Sequence, residues 1–254
     1  MDAKKFSLPE LELKVMFHVK HSPACTDDKA VSPCLATDLL VVAGGRAPQG
    51  AWLRSVGLNR TVYAADSGAA CCLAAGIVPK ELFGDCDSTT QAVYDTAKSA
   101  GTLVHSFNPA KDDTDLQLLL QQLPAGDIIA SGIWGGRFDH LYSNVFTLLG
   151  VKQKRECQVL LADEKEFMLL LAAGEQVEVK LTASVEALSL LPLTASTCVD
   201  FKGVHWELNK AELKQLYPYA ISNVPAKEDM IISCTCHSGA VGLYIRWCDK
   251  NKIK

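Results

Sequence analysis

Through the first half of the chain, apolar positions fall into short unbroken runs, each closed by glycine or an acid. Asp38 to Ala43 (DLLVVA) ends at Gly44-Gly45, and Arg60 to Ala65 (RTVYAA) ends at Asp66-Ser67-Gly68. A run without polar alternation predicts a strand covered on both faces, as parallel strands are. Between such runs the spacing becomes helical. Ala69 to Ala75 halts at Gly76 and Gln91 to Ala100 halts at Gly101. DLQLLLQQL over 115–123 puts Leu116, Leu119, Leu120 and Leu123 on one face, with Thr114 or Asp113 as the N-cap. Leu82-Phe83, Thr102 to Phe107 and Asp127 to Ile133 supply further strands, and Phe138 to Leu149 a further helix. This alternation predicts an α/β domain over 37–155, a parallel sheet flanked by helices in a Rossmann-like layout.

After Lys152 to Glu156 the pattern changes. Gln158 to Ala162, Phe167 to Leu171, Gln176 to Leu181, Ala187 to Leu191, Met230 to Cys236 and Val241 to Trp247 are short segments parted by Gly, Pro, Asp or Ser. They predict the antiparallel strands of an all-β sandwich domain over 156–254. Residues 1–36, with Pro9, Pro23 and Pro33, show little sustained periodicity and read as an N-terminal extension.

Composition removes several classes of function. With 25 Lys plus Arg against 29 Asp plus Glu, the net charge is -4 and no basic stretch could track a phosphate backbone, so nucleic acid is not an expected partner. No apolar run approaches the roughly 20 residues that cross a bilayer. Lys4, Lys5, Glu10, Glu12 and Lys14 break up the first fifteen residues, so no secretory signal is expected and a cytoplasmic location is. The ten cysteines form no C-x-x-C pair, which argues against structural zinc and for small buried apolar residues; Cys234 and Cys236 would share one face of a strand.

The candidate chemistry collects in four loops that each follow a predicted parallel strand: Asp66-Ser67-Gly68, Gly84-Asp85-Cys86-Asp87-Ser88, Lys111-Asp112-Asp113-Thr114-Asp115 and Gly135-Gly136-Arg137-Phe138-Asp139-His140. Asp and Gly are ordinary turn and cap residues, so each loop alone has a structural explanation. Together they converge at the carboxyl edge of an open α/β sheet, where ligands bind. Asp85 and Asp87, two apart in an extended segment, point to one side and repel unless a cation lies between them. Hard oxygen ligands with no accompanying His or Cys point to Mg²⁺. Asp115 could add a ligand or serve the helix dipole. Gly135-Gly136-Arg137 offers backbone N–H groups and a guanidinium to phosphate oxygens. Carboxylates, metal and arginine together point to phosphoryl or nucleotidyl transfer. No P-loop, dinucleotide, kinase or G-x-S-x-G signature occurs.

In order and spacing, Asp66-Ser67-Gly68-Ala69, Gly76-Ile77-Val78-Pro79 and the three later loops resemble the motifs of the thiamin pyrophosphokinase family. Gly203-Val204-His205-Trp206-Glu207-Leu208 and Ile221-Ser222-Asn223 are similar to two segments of its second half. The resemblance runs from about residue 38 to 247. It implies transfer of the terminal diphosphate of ATP to the hydroxyethyl oxygen of thiamin, giving thiamin diphosphate and AMP. It also implies a homodimer whose site lies between one subunit's first domain and its partner's second. By resemblance, Asp85, Asp87 and Asp115 would hold Mg²⁺ and the phosphates, with Asp66 nearby. Lys111, Thr114 and Arg137 would steady ATP, and Asp139 would make a polar contact in the same pocket. Trp206, Ser222 and Asn223 would receive thiamin, whose cationic thiazolium and flat pyrimidine suit an indole face. Without the family, Trp206 reads as a buried sandwich residue. Cys86 stands where the family usually has Phe, and Ala70, Cys71 and Cys72 stand where some relatives carry Asn and Arg.

Two other readings use the same residues. One is a pyrophosphokinase of similar build acting on another heteroaromatic alcohol, such as a hydroxymethylpterin. The other is a non-catalytic thiamin or nucleotide binding module.

Overall fold

The computed structural model describes residues 3–17, 38–84, 90–107, 112–155, 157–226 and 230–249. They divide into two compact units, an α/β unit over 38–170 and a β-rich unit that joins 3–17 to 171–248. The described chain opens with a hairpin of the β-rich unit, β1 (Ala3–Leu8) and β2 (Leu11–Phe17).

The α/β unit alternates as its apolar runs require: β3 (Leu39–Val42), α1 (Gly50–Gly57), β4 (Thr61–Ala65), α2 (Gly68–Ala74), β5 (Glu81–Gly84), α3 (Gln91–Ser99), β6 (Leu103–Ser106), α4 (Asp115–Gln122), β7 (Ile128–Ser131), α5 (Phe138–Arg155), β8 (Val159–Ala162) and β9 (Glu166–Ala172). Every residue of β3, β7 and β8 is buried, which is why these strands carry no polar alternation. The strand order is β9-β8-β7-β3-β4-β5-β6. All neighbours are parallel except β8 and β9. From β3 the chain steps outward through β4 and β5 to β6, then returns to lay β7 on the other side of β3. That reversal leaves a crevice beyond the carboxyl ends of β3 and β7. Two glycines permit the close approaches there. A Cβ on Gly68 would run into the Val42 carbonyl, and Gly132, at φ +66°, would drive one into the Ala43 carbonyl.

The β-rich unit continues with β10 (Glu175–Leu181), β11 (Val185–Pro192), β12 (Ser196–Lys202), β13 (Leu208–Lys214), β14 (Ile231–Ser238) and β15 (Ala240–Trp247). One antiparallel sheet runs β1-β2-β10-β14-β12-β13, and β11 pairs with β15. The hairpin is held by matched alternation. Leu11, Leu13 and Val15 lie opposite Leu181, Val179 and Val177, all buried, while Glu12 and Lys14 on the other face oppose Lys180 and Glu178. Apolar pairs on one face and opposite charges on the other fix this register, because a one-residue slip would exchange the faces.

Several expectations change. The segment at 158–162 is not a sandwich strand: β8 pairs in parallel with β7 and extends the first sheet. The division falls at Leu170/Leu171, within β9, rather than near 155, because β8 pairs with β7 and the first half of β9 pairs with β8. Residues 3–17 of the expected extension form two strands of the β-rich sheet. Helix α1 and strands β12 and β13 were not foreseen. Among the described residues, Cys72, Cys157, Cys234 and Cys236 are buried thiols, and the last two do share a face of β14. No helix of the described residues is long and apolar enough to cross a membrane.

Candidate active site

In the α/β unit a cavity of about 660 Å³ opens at the carboxyl ends of β3, β4 and β7. Its wall comes from Ala43–Gly45 after β3, Ala65–Ser67 after β4, Asp113–Leu116 at the start of α4, and Ile133 with Gly135–Arg137 after β7; His140 and Asn144 add to it from successive turns of α5. The crevice created by the reversal of strand order is therefore the place where four of the expected residues, Asp66, Thr114, Asp115 and Arg137, meet.

Each has a local cause. Asp66 takes a left-handed conformation, φ +51°, directly after β4, and its N–H donates to the Phe83 carbonyl at 2.9 Å. Asp is one of the few non-glycine residues that accept this conformation. Thr114 is the N-cap of α4: its hydroxyl accepts from the Gln117 N–H at 3.2 Å, and the Gln117 side chain accepts from the Thr114 N–H at 2.7 Å. Through this cap Thr114 fixes the start of α4 and presents Asp115, which is buried. Arg137 and Asp139 form a two-pronged ion pair at 3.1 and 2.5 Å, and Asp139 Oδ1 also accepts the His140 N–H at 3.0 Å. Asp139 raises the Arg137 pKa, and Arg137 in turn holds the Asp139 carboxyl below its usual range. Asp139 is not part of the cavity wall; it aims the guanidinium. Asp85, Asp87 and Lys111 lie outside the described residues.

Sequence reasoning missed the contribution of Gly44, Gly45 and Asn144 to the wall. The signals were present: a glycine pair closing the first strand, and an Asn one helical turn beyond His140 on the same face.

In the β-rich unit, Trp206 is 61% exposed, so the core alternative for it is overturned. It stands edge-on to His205, with ring centroids 4.5 Å apart. Buried Asn223 fixes this loop: its Nδ2 donates to the Trp206 carbonyl at 2.8 Å and its Oδ1 accepts the Trp206 N–H at 3.1 Å. Ser222, exposed at φ +60°, donates its N–H to Ser189 Oγ at 3.1 Å. The side-chain amide of Asn223 therefore positions Trp206.

Residues 56–161 match the family profile described as thiamin pyrophosphokinase, catalytic domain. The chain is 30% identical over 164 residues to the thiamine pyrophosphokinase of Bacillus subtilis, covering 62% of this chain and 75% of that protein. The chain belongs to the thiamin pyrophosphokinase family. Thiamine pyrophosphokinase 1 of Arabidopsis thaliana is 29% identical over 166 residues, and the match spans 61% of that family member and 61% of this chain. The crystal structure of the Bacillus subtilis thiamine pyrophosphokinase superposes with a TM-score of 0.71 at 25% identity, covering 84% of this chain and 100% of that one. The Candida albicans thiamin pyrophosphokinase, at 14% identity, shares the fold with a TM-score of 0.69 over 84% of this chain and 90% of that one.

Proposed function

We propose that this family member is a Mg²⁺-dependent ATP:thiamin diphosphotransferase, moving the terminal diphosphate of ATP onto the hydroxyethyl oxygen of thiamin and releasing AMP. The observation that carries this reading is the meeting of Asp66, Asp115, Arg137 and two glycine pairs in one cavity where the strand order reverses between β3 and β7.

Carboxylates and backbone groups in that wall suit a hard cation. Among the described residues no three His, Cys, Asp or Glu side chains converge to hold a metal. By the family resemblance the proposed ligand set is Asp115 with Asp85 and Asp87, which lie outside the described residues, and Asp66 beside them. Once bound, Mg²⁺ would neutralise phosphate charge and favour departure of AMP. Arg137, aimed by Asp139, and Lys111 pair with phosphate oxygens, and the N–H groups of Gly135 and Gly136 complete the cradle. Thr114 keeps Asp115 at the head of α4. Trp206 offers its exposed face to the thiamin rings, with Asn223 holding the loop and Ser222 at its margin. The thiamin hydroxyl oxygen bonds to the β-phosphorus as the bond from that phosphorus to the α-phosphate oxygen breaks; AMP keeps that oxygen, and the hydroxyl proton passes to Asp115 or Asp87. The working unit is a cytoplasmic homodimer.

Incubation of the purified chain with ATP, Mg²⁺ and thiamin tests this directly. Equal yields of AMP and thiamin diphosphate are expected. AMP formed only with a pterin alcohol would reassign the acceptor, and thiamin binding without AMP would remove the activity.

A further inference from the structure

We propose that Arg46 is a positioning residue for the floor of the cavity, a charged strut that locks two glycine segments together and touches no phosphate. This rests on the reading of the cavity as the ATP site.

Beyond the ends of β3 and β7 the two strands continue side by side. The Ala43 N–H donates to Ser131 at 2.8 Å, Gly45 to Gly132 at 2.7 Å and Arg46 to Trp134 at 2.5 Å. Gly45 and Gly132 contribute no side chain to hold this seam, and glycine backbone is entropically costly to order. The constraint comes from Arg46. Its Nε and Nη2 donate to one oxygen of Asp163 at 2.9 and 2.6 Å, and its Nη1 donates to Glu166 at 2.9 Å. All three guanidinium nitrogens are thereby engaged away from the cavity, and Arg46 is not part of its wall.

The anchor is itself rigid. Asp163 is buried, and its other oxygen accepts the N–H groups of Lys165 at 2.8 Å and Glu166 at 2.9 Å, which builds the turn between β8 and β9 around it. A second tie runs from the Gln49 N–H to Glu164 at 2.9 Å. Burial works against both charges: it pushes the Asp163 carboxyl up, with Arg46 opposing that rise, while Asp163 and Glu166 keep the Arg46 pKa above its ordinary value. A planar fork is required to reach both acids at once. An arginine beside a phosphate site would ordinarily be taken for an anion ligand; here its fork is spent on the β8–β9 turn.

Hydrogen exchange at amides 45 and 46, with KM for ATP and for thiamin, tests the strut in Arg46→Met, Arg46→Lys, Asp163→Asn and the double variant Arg46→Met/Asp163→Asn. Arg46→Met should speed exchange at these two amides by at least about tenfold and raise KM for ATP about tenfold, while α3 amides and KM for thiamin stay put. Arg46→Lys should fall between. The double variant should be within about twofold of the worse single, because the pair acts as a unit. Glu166→Ala leaves the Asp163 fork intact and guards against misfolding of the others; about threefold faster exchange at 45 and 46 is expected. Unchanged exchange in Glu166→Ala and Arg46→Met overturns the proposal. So does a KM effect in Arg46→Met that Asp163→Asn lacks, which would make Arg46 a phosphate ligand, and so does faster exchange throughout the unit. Exchange reads the seam without nucleotide, so a wild-type chain that fails to bind ATP would refute the site and leave the strut to be judged separately.

Discussion

Replacing Asn223 by alanine should weaken thiamin binding without touching either substrate's chemistry. The side-chain amide makes two hydrogen bonds to the Trp206 backbone, at 2.8 and 3.1 Å. Each contributes about 0.5–1.5 kcal/mol net, so the loop loses about 1–3 kcal/mol of ordering. If thiamin must restore that order on binding, its KM rises about 5- to 150-fold, at 1.4 kcal/mol per factor of ten. The main chain of Asn223 remains paired both ways with Leu188 at 2.8 Å, so the unit should stay folded. Thiamin saturation at fixed ATP gives the first readout. Acrylamide quenching gives the second, because Trp206 is exposed while Trp52, Trp134 and Trp247 are buried. Quenching should increase, KM for ATP should hold, and Trp206→Ala should exceed the Asn223→Ala effect on thiamin. A loosened loop with unaltered thiamin saturation would show that Trp206 is not the thiamin platform; unaltered quenching would show that Asn223 does not pin it.

Other expectations are simpler. Asp115→Asn should cut turnover by at least about 100-fold, as loss of a group acting in the transition state does, and an unchanged rate of AMP release would take Asp115 out of the reaction. Gly68→Ala should cost about 1–3 kcal/mol in urea unfolding, since the new Cβ meets backbone atoms of Val42 that cannot yield; wild-type stability would disprove that contact. Burial pushes the Cys72 thiol up to about 12 and raises those of Cys157 and Cys234. A raised thiol stays protonated until the pH approaches its own value, so iodoacetamide at pH 8 should spare all three in the folded protein and label them in urea. Equal labelling in both conditions would contradict their burial.

The α/β half was legible because fully buried strands and one-faced helices write their periods directly into the chain, as LLVV of β3 and the leucines of α4 do. Strands β12 and β13 were harder to read. Val199 and Phe201 alternate only briefly, and β13 buries Leu213 while leaving Asn209, Lys210 and Glu212 to solvent. The hairpin at 3–17 did alternate, at Leu11, Leu13 and Val15, but its partner β10 lies far along the sequence, and alternation cannot say which strand will accept it. Strand β8 showed the converse ambiguity, since a four-residue apolar run suits either kind of sheet.

The candidate site divides along similar lines. The order of acidic and glycine loops was enough to name the family and to place Asp66, Asp115 and Arg137 at one sheet edge, because loops after parallel strands must emerge on the same side. Which polar atoms are already spoken for was decided only in three dimensions. Thr114 caps α4 through Gln117, Asp139 spends its carboxylate on Arg137, and Asn223 its amide on Trp206. Arg46 spends its fork on Asp163 and Glu166, more than a hundred positions away. Residue type and spacing determine what chemistry a side chain can offer; hydrogen bonding is short-ranged and saturable, so only the folded arrangement decides whether it remains on offer.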